Sequence, residues 1–157
     1  VSICETPRST IQYLAEELPI DIVNAVRHAV HEDDIGMLTT VDARGFLHTR
    51  PMLVRLVDEN GMICFLSNDP SLKTSEIRKN PQVSLSFQSM HERGMCALSA
   101  SARISRDHHL IQQLWKEELR EWIPQGLDDQ NLVVLELTPE LFDLWTGPLH
   151  TVASRVP

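Results

Sequence analysis

Apolar positions along this chain change their period. Near the start they recur at helical spacing: Ile11, Leu14, Ala15 and Leu18 share one face, and beyond Pro19 so do Ile22, Val26, Ala29 and Val30. The acidic run Glu32-Asp33-Asp34 ends that pattern. The period then shortens toward two. Ile35–Val41 predicts a short strand, Asp42-Ala43-Arg44-Gly45 a turn, and Phe46–Val57 a long strand interrupted at Pro51. Asn60-Gly61 is a hairpin signal. Met62–Leu66 is a continuous apolar run, as in a strand buried on both faces.

A polar loop over Ser67–Leu72 leads into a short helix near Lys73–Lys79, which Asn80-Pro81 stops. In Gln82–Gln88, Val83, Leu85 and Phe87 point one way and Ser84, Ser86 and Gln88 the other. Met95–Ser105 reads as a further strand. Asp107 is placed to cap a helix whose apolar stripe is Leu110, Leu114 and Trp122. After the loop Ile123–Gln130, two final strands, Leu132–Thr138 and Leu141–Trp145, are expected around Pro139. Successive strands follow through hairpins rather than helical crossovers, so the chain reads as mainly β with peripheral α. Six or seven antiparallel strands close economically as a small closed or split β-barrel. No repeat or linker divides the chain. It reads as a single domain over 1–157, with N-terminal helices over 1–34, a barrel with inserted helices over 35–147 and a tail over 148–157.

Composition narrows the function classes. The 157 residues are 42% hydrophobic, which excludes disorder, and the formal net charge of −8 argues against a generic polyanion partner such as nucleic acid. An aromatic content of 5% argues against a stacking platform for single strands. The charge is uneven: −5 over 1–35, +3 over 36–106 and −6 over 107–157. A positive centre between acidic flanks is either chance or the mark of an anionic ligand. Cys4, Cys64 and Cys96 are odd in number and form no C-x-x-C pair, so disulfides and structural zinc are not expected and a cytoplasmic location is. Cys64 and Cys96 read as small core residues. No apolar run approaches the roughly 20 residues of a membrane span, and no basic-then-apolar leader opens the sequence. His28 with His31, and His108-His109, lack metal-ligand spacing, and Glu117-Glu118 and Asp128-Asp129 read as solvated acids. The six glycines compose neither a dinucleotide fingerprint nor a P-loop.

One segment carries chemistry. Phe65-Leu66-Ser67-Asn68-Asp69-Pro70-Ser71-Leu72-Lys73-Thr74 takes a strand through a polar turn into a helix start. Hydroxyls, an amide and free backbone N–H groups converge there with Lys73, as an anion site requires. Ser71 as a plain helix cap and Lys73 as a surface lysine is the other reading of the same spacing. Asp69 opposes an anion unless it points away, and Arg78 and Lys79 follow on the helix. A second basic element, His48-Thr49-Arg50-Pro51, lies on the preceding hairpin.

The run Gly36–Gly45, Thr49-Arg50-Pro51-Met52, Phe65-Leu66-Ser67-Asn68, Ser71-Leu72-Lys73 and Asn80–Phe87 together resembles the pyridoxamine 5'-phosphate oxidase-like flavin-binding proteins. Leu114-Trp115, Trp122–Asp129 and Phe142-Asp143-Leu144-Trp145 are similar to their general stress protein branch. The resemblance spans roughly residues 20–147. It implies a split barrel, a homodimer and FMN at the subunit interface. Arg50, Pro51 and Met52 would then lie along the isoalloxazine ring, and Leu66, Ser67 and Asn68 would line the strand end beside it. Ser71 and Lys73 would hold the phosphate, and Trp145 would approach the ring from the partner chain. The oxidase proper has Ser-Arg-Lys where this chain has Ser71-Leu72-Lys73, and its pyridoxal-phosphate residues have no counterpart, which argues against vitamin B6 oxidation. The implied function is a flavin-dependent oxidoreductase, or a flavin-sequestering stress protein without turnover. A haem protein with His48 or His150 as axial ligand, and a barrel that has lost its cofactor, are the remaining alternatives. No residue is an evident acid, base or nucleophile, so no catalytic residue is assigned.

Overall fold

The alternation that marks each strand also decides what it packs on. The computed structural model describes residues 21–89 and 94–155. Helix α1 (Ile22–Ala29) opens on Asp21, whose carboxylate accepts from the Val23 amide, and buries Ile22, Val26 and Ala29 along one face. Strands β1 (Ile35–Val41), β2 (Leu47–Leu53), β3 (Leu56–Val57) and β4 (Ile63–Asn68) follow. Next come α2 (Leu72–Lys79), β5 (Gln82–Ser89), β6 (Gly94–Ser105), α3 (His108–Leu114), β7 (Leu132–Thr146) and β8 (Leu149–Ser154). Cys4 and the helical stretch read at Ile11, Leu14, Ala15 and Leu18 lie outside the described residues.

The strands form one antiparallel sheet in the order β2-β1-β5-β6-β7-β4-β3, with β8 also on β7. β7 is its spine. The first part of β7 pairs with β4 and the last part with β8, while β6 runs beside both. The sheet curls into the split barrel expected from the hairpin order. Its inner face encloses Leu38, Phe65, Leu85, Leu98, Leu135 and Phe142, and α1 inserts Val26 among them. Each such fully buried side chain contributes about 1.5–3 kcal/mol. A second cluster, Cys64, Ile111, Leu114, Leu132 and Val134, lies under α3. The ends of the sheet are joined by chain rather than by a ladder. Between β2 and β3, the Val54 amide donates to Asp34 O, Val54 O accepts from the Asp33 amide, and the Arg55 amide donates to Cys64 O.

Four expectations are corrected. β2 runs straight through Pro51 and breaks instead at Val54 and Arg55, because β2 is an edge strand on which a missing N–H is tolerated. Leu132–Thr138 and Leu141–Trp145 are one strand: the register slips from Ser99↔Leu141 to Ala100↔Pro139, leaving Glu140 as the extra residue that absorbs the proline. Residues 149–154 are not a tail but the eighth strand, turned back on β7 through Gly147 at φ 61°. The helix capped by Asp107 stops at Leu114, burying Ile111 rather than Leu110, so Trp122 is not on it. Met62–Leu66 conforms to the reading of a strand buried on both faces: Ile63 and Phe65 enter the barrel core and Cys64 the second cluster.

Candidate functional site

Ser71 begins α2. Its Oγ accepts from the Thr74 amide at 3.3 Å, and Thr74 Oγ1 accepts from the Ser71 amide at 2.9 Å, a reciprocal cap. Leu72 is 60% exposed and offers no charge. Lys73 is half-buried. Burial, with the Arg50 guanidinium nearby, pulls its pKa below the ordinary lysine value. Among the described residues Lys73 has no ion pair or hydrogen bond of its own.

Arg50 comes to the same place from β2. On that strand His48, Arg50 and Met52 are the more buried residues, while Leu47, Thr49 and Pro51 face out. Arg50 donates to the Thr40 hydroxyl at 2.5 Å, and its other nitrogen lies 3.5 Å from Glu76 of α2. The Thr40 hydroxyl in turn donates to Glu76 Oε2. Glu76 is buried. Burial alone would raise its pKa, but the hydrogen bonds from Thr40 and His48 and the charge of Arg50 hold it below the ordinary range. For Arg50, burial lowers the pKa and Glu76 partly restores it. The two basic elements seen in the sequence are therefore neighbours, and the carboxylate that joins them, Glu76, was not among the candidates.

Asp69 does not oppose this cluster. It is buried and paired with Arg78 and Arg106, and the Arg78 hydrogen bond is the main cause holding its pKa at about 2. Arg78 is thereby committed elsewhere. Ser67 is buried on the same face of β4 as Ile63 and Phe65, and its Oγ has no hydrogen-bond partner. An orphaned buried hydroxyl costs on the order of 1–3 kcal/mol and suits a ligand that completes it. Asn68 is exposed.

Pro51, Met52 and Leu66 share one apolar cavity of about 310 Å³ with Ile35, Leu53, Leu119, Trp122, Ile123 and Arg55. Met52 lies two residues beyond Arg50 on the same face of β2, about 7 Å along the strand. Trp145 is elsewhere. It lies on β7, three strands from β1 across the sheet, a separation of about 14 Å. Its indole stacks on His150 with centroids 4.7 Å apart, and His150 is bonded to Asp143. Sequence reasoning overlooked Leu119, Trp122 and Ile123 because it assigned Trp122 to the helix after Asp107. The nearest signal was the pattern Trp122-Ile123-Pro124-Gln125-Gly126. Among the described residues no cluster of three metal-ligating side chains occurs, and no helix is long and apolar enough to cross a membrane.

Residues 21–155 match the family model for pyridoxamine 5'-phosphate oxidase-like proteins. The chain is 28% identical over 138 residues to general stress protein 26 of Bacillus subtilis, covering 85% of this chain and 95% of that protein. It is 25% identical over 112 residues to protein bli-3 of Neurospora crassa, covering 69% of this chain but only 54% of the relative. A similar solved structure is the general stress FMN/FAD binding protein from Xanthomonas citri, with TM-score 0.65 and 24% identity over 79% of this chain and 87% of that one. That likeness shows the fold.

Proposed function

Since the chain belongs to the pyridoxamine 5'-phosphate oxidase-like family, we propose that it is a flavoprotein of the general stress protein type that binds FMN and uses it as an oxidoreductase. The observation that carries the reading is the convergence of Lys73 and Arg50. A half-buried ammonium without a carboxylate of its own sits beside a second cation, and a phosphate dianion relieves both. Two charge-assisted contacts of this kind outweigh the neutral donors around them.

The residues fit the group chemically. Lys73 and Arg50 neutralise the phosphate, with Ser71 at the same helix start. Ser67 offers a buried hydroxyl. Pro51, Met52 and Leu66 supply an apolar wall for the ring, with Met52 two residues along β2 from Arg50. When bound, the flavin supplies the redox chemistry, and the protein supplies binding, orientation and exclusion of water. Among the described lining residues Arg55 is the one ionisable group, and it is committed to Asp33 and Leu114 O.

The proposed assembly is a homodimer with the site at its interface. The outer sheet face presents Ile35, Met37, Met95, Leu141 and Trp145, each at least 38% exposed. Trp145 is too far across its own sheet to touch the cavity, so its ring contact comes from a second copy. A cytoplasmic setting suits the buried free thiols of Cys64 and Cys96.

Titration of apoprotein with FMN, followed by flavin absorbance and light scattering for mass, tests the reading. One FMN per chain on a dimer, with binding weakened by Lys73→Ala and by Arg50→Ala, is expected. No binding at micromolar FMN, or binding indifferent to both substitutions, overturns it. Anaerobic stopped-flow with NADH, NADPH and other electron donors tests turnover: reduction supports the oxidoreductase, and a flavin that stays oxidised with all of them leaves a sequestering protein.

A further inference from the structure

Trp122 is 72% exposed, more than any other large hydrophobic residue described. A tryptophan held that far into solvent forgoes much of the burial its ring could gain, which marks a contact surface. It does not hang free. Its amide donates to Leu119 O at 3.0 Å, and the Ile123 amide donates to the same carbonyl at 2.9 Å. Arg120 pairs with Glu117 and donates to Pro124 O, closing the turn. The turn is tethered at its root: Arg55 Nε donates to Leu114 O at 3.1 Å, and Lys116 pairs with Glu32 and Asp33. Trp122 therefore lines the cavity from a hydrogen-bonded support, together with Pro51, Met52 and Leu66 of the strands.

The lining chemistry defines the ligand class. Every described lining residue is apolar except Arg55, whose guanidinium is taken up by Asp33, Glu32 and Leu114 O. A charged ligand would find no partner there, and a branched aliphatic one would leave the indole face unused. The volume of about 310 Å³ lies at the low end of small-molecule pockets, about 300–1,000 Å³. An uncharged, flat, fused-ring group satisfies the polarity, the size and the exposed indole together.

We infer that this cavity is a ring seat in its own right, closed from within the same chain by Trp122, and that it takes isoalloxazines lacking ribityl and phosphate as well as FMN. The inference rests on the flavin reading above but assigns the ring energy to residues 119–123, which that reading does not use. Ring and phosphate recognition are then separable: Trp122 acts on the ring and Lys73 on the phosphate.

Lumiflavin, the bare methylated ring, is the probe, compared with FMN by calorimetry and flavin emission on the intact protein. Trp122→Ala should weaken lumiflavin and FMN by the same factor, about tenfold, and should restore emission that indole stacking quenches in the bound wild type. Trp122→Phe should recover most of the affinity. Lys73→Ala should weaken FMN alone. Because the indole is exposed, the fold of Trp122→Ala should be intact by circular dichroism. If the wild type binds FMN in a Lys73-dependent way while Trp122→Ala changes neither ligand, the ring seat is wrong and the phosphate site stands. If Trp122→Ala weakens lumiflavin while FMN binds no tighter than lumiflavin, the ring seat stands and the phosphate site is wrong. If the wild type binds neither ligand, both fail.

Discussion

His48 of β2 and Glu76 of α2 meet with Nδ1 2.5 Å from Oε1, while the other oxygen of the same carboxylate takes the Thr40 hydroxyl to which Arg50 donates. One buried acid thus fixes His48 and Arg50 of the strand and the helix behind Lys73 in a single arrangement. It also sets a negative charge against any phosphate that binds there.

Glu76→Gln separates those two effects. Removing the charge while keeping the amide oxygen should tighten FMN about three- to tenfold at low salt, since a like charge near the phosphate is gone. The fold should lose about 1–3 kcal/mol, because charge-assisted hydrogen bonds become neutral ones. FMN titration and urea unfolding of the same preparation read both signs.

Leu72→Arg tests the position where the oxidase proper carries a second phosphate cation. Leu72 is 60% exposed, so little packing is lost. FMN should bind about tenfold tighter at low salt. The slope of affinity against ionic strength should steepen, whereas a substitution acting through the fold would leave that slope unchanged.

The pH dependence of stability should carry a signature of Asp69. Its folded pKa is about 2, below the ordinary 3.8, with the Arg78 hydrogen bond as the leading cause. The unfolded chain therefore takes up the proton first as pH falls. The stabilisation is complete above the unfolded value and is lost between about pH 4 and pH 2. Asp69→Asn should destabilise the protein at pH 7 and remove that part of the acid slope, as compared by urea midpoints at pH 7 and pH 3.

Gly36 is a packing test. A Cβ there would lie 2.5 Å from Phe87 Cε1 and 2.9 Å from Leu85 Cδ1, both core side chains. Gly36→Ala should cost about 1–3 kcal/mol by overpacking, measured by urea unfolding at constant m-value.

The strands were legible where burial is decided locally. Val83, Leu85 and Phe87 alternate because one face of β5 meets the core, and Ile63–Phe65 is apolar throughout because β4 is covered on both sides. The meeting of Arg50 with Lys73 could be anticipated only as a juxtaposition of two basic segments. Glu76 could not be found at all: one glutamate on a polar helix looks solvated, and only the docking of α2 on the sheet buries it. Trp122 was misplaced for a similar reason. Its spacing continues the stripe of Leu110 and Leu114, yet the chain leaves the helix at Leu114, where Arg55 takes the carbonyl. Pro139 reads as a break because a bulge that absorbs a proline leaves no mark in the local pattern.

The short crossing at Val54 and Arg55 has a bearing on how such a protein diversifies. Val54 is bonded to the residues before β1, and Arg55 to both β4 and the end of α3. The strand wall of the cavity is thus sewn to the barrel, whereas the wall carrying Leu119, Trp122 and Ile123 is an excursion between α3 and β7, tethered by Arg55 and Lys116 and packed on the second cluster. Substitutions, insertions or exchanges within residues 117–125 can remodel what the cavity admits while the barrel and its cation pair are inherited unchanged. Ligand range and fold stability are written in different stretches of the same chain, and each is open to selection without the other.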